Sequence, residues 1–551
     1  MDYFKKHTDI NSEMRMILLD WLLEVRCEYE TSFNSYNLAV ILFDIYLSKT
    51  TKICPRNKFQ CVGVCCFNIA AKILDGKQIG IEEYQYISAK TYSIKEMLTF
   101  EREIIETLDF NIEYPTLMES IEKYCENNKF CPTKNKIMKF LAVISLTNIY
   151  YLSIPFNLLV NKIEILSEFI MNSNHNLNSS LNGDKIIIYL STQLQKNLSN
   201  KYEGLYNLAD NLNVSINILK SRVSELFDNL QPTNFIFDLN SLKMMYNLNC
   251  KYIYKPCIKY TFNDLTNSKY LTELGQGSFG SVVLKEINGE KIAVKTQRDF
   301  DSYTEITTEM IREMISLRTL CHENIIKLHG YHYSDNFFIL GFQPMTCTLK
   351  KYLSTNKISD NIKFCYIDQL LSGLKYMHYN GIMHRDLHCD NILISLDGKL
   401  KIADLGSSRR ISDHCKLIQY STTICSLEYR AIEILLGVET YTEKIDIWSC
   451  ACIIGEILGF KLFQAENEIM MVENILKKLG TSDKLYNWPN WSYWSQRRNW
   501  DKINLYPRKG FTEIESNYNN HAKIIYKMLE YNPEMRISAH DALIKFSKLK
   551  N

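Results

Sequence analysis

The chain has 551 residues, 46% of them hydrophobic and 23% charged, and a formal net charge of +2 at pH 7. That length asks for about two to four domains with ample core, and the near-balanced charge excludes a general attraction to nucleic acid or to membrane surfaces. Its 17 cysteines are irregularly spaced, and the N-terminus MDYFKKHTDINSEM has no apolar signal-peptide core. Both features point to reduced thiols in an intracellular protein of cytoplasm or nucleus.

Residues 1 to 230 carry helical spacing. Met14, Ile17, Leu18, Trp21, Leu22 and Val25 recur at three- and four-residue steps, so they are expected on one buried face of a helix capped by Asn11 or Ser12. Similar patterns follow at 36–47, 58–73, 93–108, 118–125 and 135–152. Cys61, Cys65 and Cys66 lie in CVGVCCFNIAAK with no matching His or Cys pair after them, and are expected as core thiols. FLAVISLTNIYYLSIPFNLLV, residues 140–160, is uncharged and nearly long enough to span a membrane. Ser, Thr and Asn interrupt it, and Pro155 falls where a helix would restart, so two buried helices are expected instead. NSNHNLNSSLNGD, 172–184, is a loop. Residues 231–267 form a connector too aromatic for a flexible linker, so part of it should pack on a domain. From 268 onward strand patterns (YLTELG, SVVLKEI, KIAVKTQ) lead into the helix of TTEMIREMISLRTL, an α+β alternation long enough for two lobes.

LGQGSFGSVVL supplies Gly275, Gly277, Gly280 and Val282. G-x-G-x-x-G alone is a weak signal, since dinucleotide-binding folds use it too. Strand pattern on both sides and Lys295 in the following IAVK favour a glycine flap over phosphates. HRDLHCDN adds His384, Arg385, Asp386 and Asn391, ADLG adds Asp404 and Gly406, YRAIE adds Glu433, and IDIWS adds Asp446. In this order, over about 268–548, these motifs resemble the eukaryotic protein kinase family. TTEMIREM, with Ile311, Arg312 and Glu313 where cyclin-dependent kinases have PSTAIRE, narrows the resemblance to that group.

The resemblance implies ATP and Mg²⁺ as cofactors. ATP would lie against Gly275, Gln276, Gly277, Ser278, Phe279, Gly280, Val282, Ala293 and Lys295, with Phe342 as gatekeeper and Gln343 to Met345 as the adenine hinge. Lys295 would pair with Glu313, Asp386 would accept the substrate hydroxyl proton, and Asn391 and Asp404 would bind Mg²⁺. Arg312, Arg385 and Arg409 would converge on a phosphorylated activation-loop residue. Alignment backward from Tyr429 puts it at Ser421, beside Thr422 and Thr423, as a target for an activating kinase.

The chain also departs from the family. His388 stands for the usual catalytic-loop lysine and is expected to reduce activity without abolishing it, because a neutral imidazole donates a hydrogen bond but lacks the charge. Leu405 replaces the Phe of DFG, and an apolar spine with Leu317, Leu328 and His384 is still expected. Ile432 replaces the Pro of APE, and Phe279 removes the inhibitory tyrosine. Arg430 implies Ser/Thr-Pro substrates, an inference softened by Glu428 in place of a usual Trp.

MRMILLDWLLEV at 14–25, with LAVILFDIYLS, NIAAKIL and EYPT, resembles the cyclin box. This implies an Arg15–Asp44 pair, and a grip by Lys72 and Glu101 on the region of the IRE helix, including Ile311. It also implies a groove for RxL-type peptides lined by Met14, Ile17, Leu18, Trp21 and Gln60, with core packing an equal alternative for Ile17 and Leu18. The expected architecture is multidomain: an all-α pair of cyclin folds (1–115, and a degenerate 116–230), the connector 231–267, and a bilobal α+β kinase domain at 268–548. A connector of about 35 residues reaches roughly 100 Å, and tethering raises effective concentration to the millimolar range, so the cyclin should dock on its own kinase. The implied function is transfer of the ATP γ-phosphate to Ser or Thr of proteins, in cell-cycle or transcription control. Two other readings stay open: a silent module that sequesters kinase inhibitors or substrates, and a cyclin acting on a separate kinase.

Overall fold

A computed structural model describes residues 3–75, 79–149, 151, 154–171, 185–200, 202–229, 257–277, 280–297, 305–333, 338–411, 425–481 and 506–549. The chain divides into two compact units, Met1–Ile253 with Ser302–Glu305, and Tyr254–Asp301 with Ile306–Asn551.

The first unit is helical among its described residues. Helix α1 (Ser12–Glu28) begins where the Asn11 side chain accepts the Met14 N–H at 2.9 Å. Ser32, Ser93 and Thr116 cap α2 (Phe33–Lys49), α5 (Ile94–Thr107) and α6 (Leu117–Asn128) in the same way, with α3 (Phe59–Leu74) and α4 (Ile81–Ile87) between. Then come α7 (Pro132–Ser145), α8 (Phe156–Met171), α9 (Lys185–Asn200), α10 (Glu203–Asn211) and α11 (Ile216–Asn229). Helices α2 and α3 form the centre: Tyr36 to Leu47 are buried, as are Cys61, Cys65 and Cys66. The apolar stretch 140–160 is split between α7 and α8, which starts after Pro155. Among the described residues no helix is long and apolar enough to cross a membrane.

The buried face of α1 differs from the expected one. Leu18, Leu22 and Val25 are inside, but Ile17 is 55% exposed and Met14 and Trp21 are only half-buried. Arg15, Met16, Leu19 and Leu23 take inward positions instead. The cause is polar. The buried Arg15 guanidinium grips both Asp44 oxygens, at 2.8 and 2.6 Å, and donates to the carbonyls of Leu146 and Thr147 at 2.9 and 2.8 Å. A charge taken out of water needs that complete set of partners, and meeting it fixes the rotation of the helix. On the same helix Asp20 accepts the Gly204 and Leu205 N–H groups, at 3.1 and 2.8 Å, and so caps α10.

The loop at 172–184 and connector residues 231–256 lie outside the described residues. The remainder of the connector is structured in the second unit: strand β1 (Ile258–Lys259), then the short helix α12 (Phe262–Thr266), closed by a Thr261–Asp264 capping box. Next come β2 (Lys269–Gly277), β3 (Gly280–Ile287), β4 (Glu290–Gln297), α13 (Thr308–Thr319), β5 (Leu328–Tyr333) and β6 (Phe338–Phe342). They form a six-stranded sheet of order β1-β5-β6-β4-β3-β2, antiparallel except where β1 joins β5. Strands β7 (Met345–Thr348), β9 (Ile392–Ser395) and β10 (Leu400–Ile402) make a second sheet, and β8 (Ile382–Met383) pairs with β11 (Arg409–Arg410). The rest is helical, built on α14 (Leu349–Thr355), α15 (Asp360–Tyr379), α16 (Ile432–Leu435), α17 (Lys444–Leu458) and α18 (Glu468–Leu479). There the buried Arg536 holds both oxygens of Glu433, at 2.7 and 2.9 Å.

Candidate functional site

Pairing of Ala293 with Phe342, and of Lys295 with Leu340, puts these four side chains on one face of the sheet. Val282, opposite Lys295 in the β3–β4 ladder, shares that face. Gly280 opens β3 so close to β4 that an added Cβ would collide with the Thr296 carbonyl oxygen, so no side chain fits there. Gly275, Gln276 and Gly277 close β2. Ser278 and Phe279 lie outside the described residues.

Lys295 donates to Glu313 at 2.6 Å and to Asp404 at 3.0 Å. Burial works to lower its pKa, but the two carboxylates outweigh burial and hold it above the usual lysine value. Burial raises Glu313, with the Lys295 charge opposing it, while at Asp404 the ammonium wins over burial and the carboxyl is held low. Lys295 is thus a firmly charged ammonium, and Asp404 is kept ionised.

Glu313 reaches Lys295 because α13 starts at the Thr307 cap and packs on the ADLG segment. The Ser408 hydroxyl donates to the Leu405 carbonyl at 2.6 Å, and Ser316 of α13 meets it at 2.8 Å. A Cβ on Gly406 would approach the Glu309 Cβ to 3.2 Å. Leu317, Leu328, His384 and Leu405 are all buried. Ser316 and Ser408 were not singled out from the sequence, where two serines 92 positions apart carry no signal.

The HRD segment is held through its backbone. Asp446 accepts the His384 and Arg385 N–H groups, each at 2.8 Å, and His378 at 3.0 Å. Burial would raise the Asp446 pKa, but these bonds and the nearby histidines keep it low. His384 Nδ1 accepts the Asp386 N–H at 3.2 Å, which leaves Nε2 as the donor to the Ala403 carbonyl at 2.9 Å. Asn391 donates its amide nitrogen to the Asp386 carbonyl at 2.9 Å. Its Oδ1 is the end left for a cation, so Asn391 with the Asp404 carboxylate is an oxygen donor set of the kind Mg²⁺ takes. Arg385 and Asp404 sit at φ of +70° and +57°, a strained backbone for non-glycine residues that the surrounding bonds maintain.

His388 Nε2 stands 3.7 Å from Asp386 Oδ1, beyond hydrogen-bond reach. Arg385 donates to the Ser407 carbonyl at 2.7 Å and to the Tyr441 hydroxyl at 3.0 Å. Burial raises the Tyr441 pKa, with the charges of Arg385 and Arg409 opposing it. Arg312 is half-buried on α13, and Ser421 to Thr423 lie outside the described residues.

In the first unit, Lys72 at the end of α3 is buried between two carboxylates, 2.6 Å from Glu101 and 2.6 Å from Glu305. Glu305 also accepts the Ile81 N–H at 2.8 Å. In sequence it stands two residues before Thr307, the cap of α13. Burial would lower the Lys72 pKa, but both carboxylates raise it, whereas Glu101 is raised by burial and by Glu305 against Lys72. One ammonium thus serves the buried Glu101 and the partly exposed Glu305. Ile311 is buried. Of the expected groove, Ile17 is exposed, Met14, Trp21 and Gln60 are half-buried, and Leu18 is core, against Gly63 of α3.

Comparison with known proteins matches residues 268–545 to the protein kinase domain family and residues 1–113 to the cyclin N-terminal domain family. Two proteins of Acanthamoeba polyphaga mimivirus, named as serine/threonine-protein kinases, are 37% and 33% identical over 100% of this chain, spanning 99% and 96% of their own lengths. Cyclin-dependent kinase 12 of Caenorhabditis elegans is 34% identical over 51% of this chain and 40% of its own length.

Proposed function

The chain belongs to the protein kinase family, as a serine/threonine kinase with an N-terminal cyclin domain, and on that premise we propose that it is catalytically active, phosphorylates Ser/Thr-Pro sites of proteins, and carries its own cyclin in cis. The observation that carries this reading is the assembled Lys295–Glu313–Asp404 contact above a catalytic loop whose backbone Asp446 holds. Lys295 orients the ATP phosphates. Asn391 and Asp404 hold Mg²⁺, which when bound neutralises phosphate charge. Asp386 takes the proton of the acceptor hydroxyl as it attacks.

Support for proline selection comes from the backbone at Cys425. Cys425 lies at φ +62°, and its carbonyl accepts from Arg430 Nε and Nη2 at 3.2 and 2.8 Å. That carbonyl is therefore not offered to a substrate N–H. A residue after the acceptor that has an N–H would leave it unpaired, and proline has none to lose. Arg430 is itself fixed by Glu468 at 2.6 Å, while Glu428 pairs with Lys461 at 3.1 Å. Docking in cis is supported by the presence of a cyclin domain and a kinase domain in one chain. The described cysteines are all free thiols, which fits an intracellular site of action, and we place its substrates among cell-cycle or transcription proteins.

The test is transfer of labelled γ-phosphate to a Ser-Pro peptide and to the same peptide with Ser-Ala. Selective labelling of Ser-Pro is expected. Equal labelling of both removes the proline reading, and labelling of neither favours sequestration.

His388→Lys is expected to raise kcat on the order of tenfold with little change in KM for ATP, because an ammonium at that position reaches the transferring phosphate. Steady-state kinetics at pH 7 check this; an unchanged or lower kcat would show that the imidazole already supplies what the site needs.

A further inference from the structure

The face of the six-stranded sheet turned away from Lys295 is not left to solvent. Ile292 and Val294 of β4 point to it, as do Ile339 of β6 and Val283 of β3, and the connector covers them with Tyr260 and Leu265 in one apolar cluster. Tyr260 follows β1, and its N–H donates to the Tyr331 carbonyl at 2.8 Å, continuing the parallel ladder. Its ring lies over Gly330 and Gly341, which pair across β5 and β6. A Cβ on Gly330 would come within 2.8 Å of the ring, and one on Gly341 within 2.8 Å of the Tyr260 hydroxyl. The hydroxyl meets His329 Nδ1 at 2.8 Å, and the Tyr260 carbonyl accepts His332 Nδ1–H at 2.8 Å. The ring is therefore seated by bonds at both ends, in a depression that only two glycines leave open.

The position of that depression matters. Gly341 immediately precedes Phe342, which ends β6 and leads into Gln343 and Met345, and Gly330 is two residues after Leu328 of the spine. With no side chain at 330 or 341, strands β5 and β6 leave this part of the outer face behind the nucleotide pocket unfilled, and Tyr260 fills it. Packed interiors transmit displacement because they contain few voids, so emptying this site lets the strand that presents Phe342 and the hinge shift outward.

We propose that Tyr260 is a positioning residue for nucleotide binding, acting through the Gly330–Gly341 pair on Phe342 and the hinge. The proposal rests on the kinase reading above and makes the end of the connector part of the ATP site's support.

The test uses the full chain, with ATP-analogue affinity measured by titration and KM for ATP, KM for peptide and kcat measured in parallel. Tyr260→Ala is expected to weaken analogue binding and raise KM for ATP severalfold, leaving KM for peptide unchanged. Tyr260→Phe, which keeps the ring and loses only the hydroxyl, is expected to restore most of that affinity. Should Tyr260→Ala not fold, Gly341→Ala pushes the same contact from the other side, and the loss it causes should shrink when combined with Tyr260→Leu. Unchanged analogue affinity in a folded Tyr260→Ala or Gly341→Ala chain overturns the proposal, as does an equal loss in Tyr260→Phe and Tyr260→Ala. A parent chain that binds no analogue would instead overturn the kinase reading itself, so the two failures are distinct.

Discussion

Asp386→Asn is expected to lower kcat by about 10²–10⁴-fold, the range for loss of a general base, while ATP-analogue affinity stays near that of the parent chain. The substitution keeps the size of the side chain and leaves the Asp386 backbone contacts, N–H to His384 and carbonyl from Asn391, untouched. An amide cannot take the acceptor proton, so the loss falls on the chemical step rather than on binding. Single-turnover transfer to the Ser-Pro peptide measures it directly. A loss below tenfold would mean that proton removal is not what limits the reaction, and would move attention to Lys295 and Asp404.

The second large effect is expected from Lys72→Met. The replacement keeps an apolar stem of similar length and removes the ammonium between Glu101 and Glu305. Stranding a buried carboxylate of a former pair costs about 3–5 kcal/mol, and Glu101 is only 1% exposed in its side chain. Both carboxylates would then repel, so thermal unfolding of the first unit should begin at lower temperature. The Lys72 pKa is raised, so the contribution of its ammonium is present through the neutral range and is lost as pH climbs through the raised lysine value. Without it, Glu305 loses one of its anchors two residues before Thr307, and kinase activity should fall with the stability. Adding Glu101→Gln should return part of both. Differential scanning calorimetry and the peptide assay decide it; a Lys72→Met chain with unchanged melting and activity would show that the cluster carries no net stabilisation.

The candidate site residues are legible because each sits in a short motif: Lys295 in IAVK, Asp386 and Asn391 in HRDLHCDN, Asp404 in ADLG. The apolar helices of the first unit were legible for a similar reason, since periodicity is a local property. Glu305, Ser316, Ser408 and Tyr260 were not. Each is an ordinary residue type made important by a partner far along the chain, as with Tyr260 and His329, 69 positions apart. Strand β1 is two residues long, too short for any alternation to show. Helix α1 shows the opposite failure. Hydrophobic spacing leaves Ile17 and Leu18 open between core and groove, and Arg15 sets the rotation by satisfying a buried charge, which that spacing does not register.

Arg15 and Asp20 also fix when the first unit can be finished. Arg15 bonds carbonyls 131 and 132 positions later, and Asp20 caps a helix whose bonded N–H groups lie 184 and 185 positions later. At ribosomal rates of about 5–20 residues per second, those last partners emerge roughly 10–40 s after α1 itself. The earliest helix made is thus among the last to have its buried polar groups satisfied. The two helical halves of this unit cannot fold as successive independent repeats, and α1 ties them into one cooperative block that closes only when α10 has been synthesised.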